Sequence, residues 1–255
     1  MSDVLYETQG ATAVITINRP ERMNAMTSEM YGAITGNLQA AEADRNVRCV
    51  IVTGAGDRAF SAGHDLYELG EGGGGRGWQP HRAHRWDSGL ECSKPTIAAV
   101  NGYCLAGGME LALFCDIRIA ADTAQFGSPE VKWNILHGFG ALRLPDVIGL
   151  SNTMYLLLTG DFIDAQTALR VGLVSHVVPG SELMPTVLQV ANRIASNGPS
   201  AARLIKELAY RGRDLPFSEG LRLYQEYQRI ASSHPDNQEG TRAFAEKRTP
   251  QFTDQ

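Results

Sequence analysis

Two short apolar runs constrain this chain most. Cys49-Val50-Ile51-Val52-Thr53-Gly54 and Pro95-Thr96-Ile97-Ala98-Ala99-Val100-Asn101 carry no polar residue at every second position. A strand with one wet face alternates, whereas a strand covered on both faces reads as a continuous hydrophobic run, the signature of a parallel sheet between layers. Parallel neighbours need a crossover, and the sequence supplies one. Ala13-Val14-Ile15-Thr16-Ile17 reads as a strand turning at Asn18-Arg19-Pro20. A helix over Ser28 to Ala43 follows, with Thr27 as its cap and Met30, Ile34, Leu38 and Ala41 at helical spacing. Further strands are expected at Cys115 to Ala120 and Leu173 to Val178, and helices near 147 to 158 and 164 to 170. The core is α/β.

From Leu183 onward only helical patterns remain: Val187 to Ser196, Ser200 to Arg211, Ser218 to Ser232 and Asn237 to Lys247. We therefore divide the chain into an α/β core, 1–182, and an all-helical region, 183–255, of the kind that packs against neighbouring subunits. With 255 residues, 43% of them hydrophobic, a full core can be buried. Lys+Arg 23 against Asp+Glu 28 leaves a net charge of −5, so no overall basic field draws the chain to nucleic acid or an anionic membrane. Cys49, Cys92, Cys104 and Cys115 are scattered, with no C-x-x-C pair, which points to a reducing compartment. The N-terminus lacks a signal-peptide pattern and no apolar run spans a bilayer, so a cytoplasmic location is expected.

The chemistry concentrates in Asn101-Gly102-Tyr103-Cys104-Leu105-Ala106-Gly107-Gly108-Met109-Glu110. Gly107 and Gly108 let backbone N–H groups approach a ligand, and Glu110 enters an apolar segment that should raise its carboxyl pKa. The alternative is a helix N-terminus with an acidic residue in its first turn. Ser61-Ala62-Gly63-His64-Asp65-Leu66, after the strand at 49 to 54, supplies a second small-residue loop. One N–H from each loop would form a two-donor pocket for a carbonyl oxygen that becomes negative in the reaction. Glu130, on the turn after Pro129, is a second candidate for acid/base work.

Other patterns carry less. Gly72, Gly74 and Gly77 satisfy G-x-G-x-x-G but follow no strand and lead into no apolar helix. They lie in the glycine-rich stretch Gly70 to Gly77, read as a surface loop. His81, His84 and Asp87 have helical spacing beside that loop, and no metal site is assigned. Ser61 and His64 lack a third partner for serine hydrolysis.

Ser61 to Leu66, Lys94-Pro95-Thr96-Ile97-Ala98-Ala99-Val100-Asn101-Gly102 and Gln125-Phe126-Gly127-Ser128-Pro129-Glu130 resemble the enoyl-CoA hydratase/isomerase (crotonase) superfamily, and the likeness covers nearly the whole chain. It starts at Asn18-Arg19-Pro20 with Asn24-Ala25 and ends at Ala243 to Arg248. The resemblance implies a crotonase-like spiral of repeated ββα units with a C-terminal helical trimerisation region, forming a homotrimer or hexamer. It implies an acyl-CoA substrate and no separate cofactor, since coenzyme A belongs to the substrate. The N–H groups of His64 and Gly107 match the oxyanion hole, and Glu110 and Glu130 match the two glutamates of hydratases. Arg22, Met23, Ala62, Gly63, Asp65, Leu66, Tyr67, Phe244 and Lys247 match positions around the acyl-CoA. The implied activity is hydration of a 2-enoyl-CoA or the reverse dehydration, with enoyl-CoA isomerase or a carnitinyl-CoA dehydratase-like enzyme as alternatives. An RNA-binding role, known for some relatives, would have to rest on the modest cluster Arg203, Lys206, Arg211 and Arg213.

The likeness has one break. Hydratases carry a Gly-x-x-Pro-Gly-x-Gly-Gly-like run after the second glutamate; here Asn134-Ile135-Leu136-His137-Gly138-Phe139-Gly140-Ala141 puts asparagine for glycine and histidine for proline, in a loop one residue shorter. Ala106 stands where glycine is frequent. We read His137 as a wall of the acyl pocket.

Overall fold

In the computed structural model, which describes residues 2–65 and 92–254, the chain shuttles between two sheets. Strands β1 (Val4–Gln9), β2 (Thr12–Ile17), β3 (Cys49–Gly54), β5 (Thr96–Val100), β7 (Ile117–Ala121) and β10 (His176–Val178) form the larger sheet in the order β1-β2-β3-β5-β7-β10. Only β1 runs antiparallel to its neighbour there. The smaller sheet, in the order β4-β6-β8-β9, is made of three-residue strands: β4 (Ala59–Ser61), β6 (Tyr103–Leu105), β8 (Gln125–Gly127) and β9 (Phe162–Asp164). Each pass from large to small sheet is one turn of a spiral.

The continuous apolar runs are buried on both faces, as the sequence requires. Ile51, Ile97, Ala99 and Ile119 meet Leu183, Val187 and Ala191 of helix Leu183–Ala195 on one face. Val50, Val52, Ala98 and Val100 point into the main core with Ile34 and Leu38 of helix α1, Ser28–Ala43, on the other. The first helix of the C-terminal region is thus part of the sheet packing. Thr27 caps α1 by accepting from the Met30 N–H at 3.3 Å. Lys94 closes the other end, its Nζ donating to the carbonyls of Ala41 and Asp44 at 2.6 Å each. This gives the lysine of the Lys94-Pro95 motif a structural purpose.

Two elements differ from expectation. The strand expected over 173–178 holds only from His176, because the Leu173 N–H is bonded to Ala168 and the Leu173 carbonyl accepts from Arg118. The helix expected near 147–158 is two, Gly138–Ile148 and Leu150–Thr159, broken at Gly149 with φ +77. The remaining helices, Gly107–Phe114, Ala165–Arg170, Pro199–Arg213, Phe217–Ser233 and Pro235–Glu246, complete the described helical elements. We number the helices α1 to α9 in chain order, so that α2 is Gly107–Phe114, α3 is Gly138–Ile148 and α9 is Pro235–Glu246. Among the described residues no helix is long and apolar enough to cross a membrane. The four cysteines are buried and unpaired with one another.

Candidate active site

The two small-residue loops face each other. A Cβ placed on Gly63 would stand 2.7 Å from the Ala106 Cβ and 2.9 Å from the Gly107 nitrogen, and one placed on Gly107 would lie 3.6 Å from the His64 nitrogen. At Gly63 such proximity of backbones is open only to glycine. Gly63 also takes φ +94, which a side chain would disfavour. Gly107 opens α2, where the first N–H groups have no acceptor within the helix. Ala106 before it holds φ 53, ψ −128, which accounts for the glycine usual at that position and marks a strained entry to the helix.

Two asparagines hold the 61–65 loop. Asn24, fully buried, receives the Arg19 N–H at 2.9 Å and donates to the carbonyls of Ala59 at 2.6 Å and Ala55 at 3.0 Å. Asn101 donates to Gly54, Gly56 and Ala59. Ser61 donates to the Asn24 carbonyl at 2.8 Å and accepts from the Gly63 N–H at 3.1 Å, so its hydroxyl serves the turn rather than a hydrolytic relay. Asp65 pairs with Arg19 at 3.0 Å, and the Asp65 and Ala62 N–H groups bond to Met26 and Met23. The segment from Asn18-Arg19-Pro20 to Asn24-Ala25 thus holds the loop in place. Leu66 and Tyr67, the glycine stretch 70–77, and His81, His84 and Asp87 lie outside the described residues.

Glu110 occupies the first turn of α2, so both of its sequence readings hold together. Its Oε1 accepts the Phe139 N–H at 3.0 Å, at the N-terminus of α3. Burial raises its pKa above the ordinary carboxylate value, opposed by His137 and the backbone donors of α3 and aided by the Glu130 charge. Glu130 sits in the 3-10 turn Pro129–Trp133, with Asn134 closing it in the left-handed region at φ 56. Asparagine tolerates that conformation, so its replacement of glycine preserves the turn. His137 is the larger departure: its Nδ1 lies 2.5 Å from Glu130 Oε1, with the ring almost fully buried.

The sequence reading missed Tyr31. It stacks on His64 with ring centroids 5.4 Å apart, and its hydroxyl occupies the space a Cβ on Gly107 would need. Burial and then the charges of Glu110 and Glu130 push its pKa up. Its place in an amphipathic helix gave no hint of this. Tyr31, Glu110, Glu130 and His137 thus share one buried electrostatic neighbourhood beside the facing loops.

The other sequence candidates lie apart from this cluster. Arg22 and Met23 end the short 3-10 turn at Pro20–Arg22, and Met23 Sδ accepts from Arg58 at 3.0 Å. Phe244, 87% exposed on α9, lines a cavity with Gly198, Ala201 and Phe252, while Lys247 ends α9 in the left-handed region. Each cation of the cluster weighed for RNA has an acidic partner: Arg203 with Asp254, Lys206 with Asp116, Arg211 with Glu207, Arg213 with Asp146. His234, Asp236 and Asp254 gather closely enough for a cation, but Asp236 accepts the Thr253 and Asp254 N–H groups and Asp254 holds Arg203. That cluster ties down the C-terminal segment.

Burying Glu110 has a measurable cost. Its folded pKa is raised, so the folded state holds its proton more tightly, and the stability advantage of protonation is lost as pH rises from the ordinary carboxylate value through the raised one. Above that window the wild type carries the full penalty of a buried carboxylate. Glu110→Gln should raise the melting temperature at neutral pH, and the gain should shrink toward zero near pH 4, about the ordinary carboxyl value. Thermal melts of both proteins across this range check it; a gain that grows on acidification contradicts it.

A parallel-sheet spiral that sets two glycine loops against a pair of partly buried glutamates is the crotonase architecture. The chain superposes on the solved enoyl-CoA hydratase of Bacillus anthracis with a TM-score of 0.91 at 34% identity, covering 100% of both chains. A model of the enoyl-CoA hydratase/isomerase family matches residues 7–255, and the chain belongs to that family. It is 40% identical to the short-chain-enoyl-CoA hydratase of Clostridium acetobutylicum, over 97% of this chain and 96% of that protein. It is 39% identical to a probable enoyl-CoA hydratase of Mycobacterium bovis, over 98% and 97% respectively.

Proposed function

We propose that this protein is an enoyl-CoA hydratase, adding water across the C2–C3 double bond of a 2-enoyl-CoA thioester and removing it in reverse. The observation that carries this reading is the pair Glu110 and Glu130, close enough for the Glu130 charge to raise the Glu110 pKa, beside the facing loops at Gly63 and Gly107. The thioester carbonyl lies between the backbone N–H groups of His64 and Gly107. As the water oxygen bonds to C3, a proton passes from water to the Glu110 carboxylate and the π pair moves toward the thioester oxygen, giving an enolate that the two N–H groups stabilise. C2 then takes a proton from the Glu130 carboxyl. Exchange with solvent restores both glutamates, and the net change is one water. Burial suits Glu110 to the base, because a carboxylate whose proton affinity is raised takes a proton from water more readily.

Arg22, Met23, Ala62, Gly63 and Asp65 line the CoA path in this reading, with Phe244 and Lys247 reaching it from C-terminal helices. The exposed Phe217, Leu221, Ile230 and Phe244 support burial between subunits in a trimer or hexamer. Light scattering should give a trimer or hexamer mass, and a stable monomer at micromolar concentration removes this assembly. For the reaction, a panel of 2-enoyl-, 3-enoyl-, hydroxyacyl- and carnitinyl-CoA thioesters is followed by mass. Gain of one water by a 2-enoyl-CoA is expected; isomerisation of a 3-enoyl-CoA without water uptake, as the sole activity, overturns the hydratase reading.

A further inference from the structure

The His137–Glu130 contact has features that a wall of the acyl pocket does not need. His137 caps the start of α3, and its ring lies flat enough on that turn that a Cβ on Gly140 would collide with Nε2 and Cδ2. Only glycine at 140 leaves the ring its place. Glu130 Oε2 and His137 Nε2 are both buried without a hydrogen-bond partner among the described residues, while Oε1 and Nδ1 meet at 2.5 Å. A buried donor left unpaired costs more than a weak acceptor so left, so the tautomer that fits carries its hydrogen on Nδ1 and donates it to Oε1. One carboxylate oxygen is then committed and the other is not.

We propose that His137 is a positioning residue for Glu130: its Nδ1–H fixes Oε1 and leaves Oε2 as the oxygen that exchanges a proton with C2 of the substrate. This rests on the hydratase reading and deepens it. When Glu130 gives up its proton, charge develops on a carboxylate whose Oε1 already has a donor in place, so the arrangement favours the product of proton transfer more than the reactant. Gly140 is the second half of the device, because it makes room for the ring. The histidine that departs from the family's proline and the glycine three residues on act as one unit.

Four variants test this: His137→Leu, which removes the donor; His137→Asn, whose amide N–H reaches from a similar place; Gly140→Ala, which displaces the ring while leaving both partners intact; and the His137→Leu/Gly140→Ala double. In steady-state hydration of the best 2-enoyl-CoA, His137→Leu and Gly140→Ala should each lower kcat about tenfold or more with KM changed less than about threefold. The double should fall no further than the worse single, the non-additivity of two changes acting through one contact. His137→Asn should keep most of kcat. Shifted KM and acyl-chain preference with kcat intact would make His137 a wall residue and overturn the proposal. So would additive losses in the double, or a His137→Asn variant as slow as His137→Leu. If His137→Leu does not fold, Gly140→Ala and His137→Asn decide the matter between them. Full kcat in these variants alongside an inactive Glu130→Gln removes only this inference, whereas a wild type that hydrates no 2-enoyl-CoA removes the hydratase reading with it.

Discussion

Glu110→Gln and Glu130→Gln should each lose turnover by on the order of 10²-fold or more, while fold and CoA affinity are kept. The substitution preserves shape and removes the transferable proton or the base that accepts it. Glu110→Gln retains an amide oxygen able to accept the Phe139 N–H, so α3 keeps its N-terminal partner. In Glu130→Gln the oxygen facing His137 can likewise still accept. The effect should therefore sit in kcat, with circular dichroism and binding of a saturated acyl-CoA unchanged. Near-wild-type turnover in either variant would end the two-glutamate mechanism. Glu110→Gln is expected to be slower and, at neutral pH, more stable, because the charge proposed to serve the reaction is held where burial disfavours it.

The second large effect is expected at Gly63. A methyl group there would stand 2.7 Å from the Ala106 Cβ and 2.9 Å from the Gly107 nitrogen, at φ +94, so Gly63→Ala must push the two loops apart. In the proposed mechanism this would stop the N–H groups of His64 and Gly107 from converging on one oxygen. Losing one donor of an oxyanion hole costs about 10² to 10³ in kcat, and Gly63→Ala should fall in that range. The left-handed backbone adds about 1–2 kcal/mol of destabilisation, which thermal melts would register. A thioether analogue, with a methylene in place of the thioester carbonyl, gives the control. Wild type should prefer the carbonyl compound, and Gly63→Ala should have lost most of that preference. Wild-type kcat in Gly63→Ala would mean that the reacting oxygen lies elsewhere.

Much of this protein was written locally. Apolar runs without alternation read as buried parallel strands, since each residue of β3 and β5 is covered on its own face of the sheet. Thr27 and the spacing of Met30, Ile34 and Leu38 defined α1, and the glycines at 63 and 107 with Glu110 and Glu130 stood out as motifs resembling the family's. The strands of the smaller sheet were illegible, because three residues are too few for a period to show and their pairing is with strands far along the chain. The purposes of Asn24, Lys94 and Asn101 were equally hidden: each satisfies backbone groups of a distant turn, a debt that exists only once those turns are placed together. The same holds at the site. Tyr31 looks like any residue of an amphipathic helix until folding sets its hydroxyl against Gly107, and His137 becomes a partner of Glu130 only because Gly140 leaves room for its ring. Sequence determined which residues could do chemistry, because residue type and local periodicity are properties of the chain itself. Tertiary structure decided which of them act on one another, because hydrogen bonds and charges depend on distances that no local pattern contains.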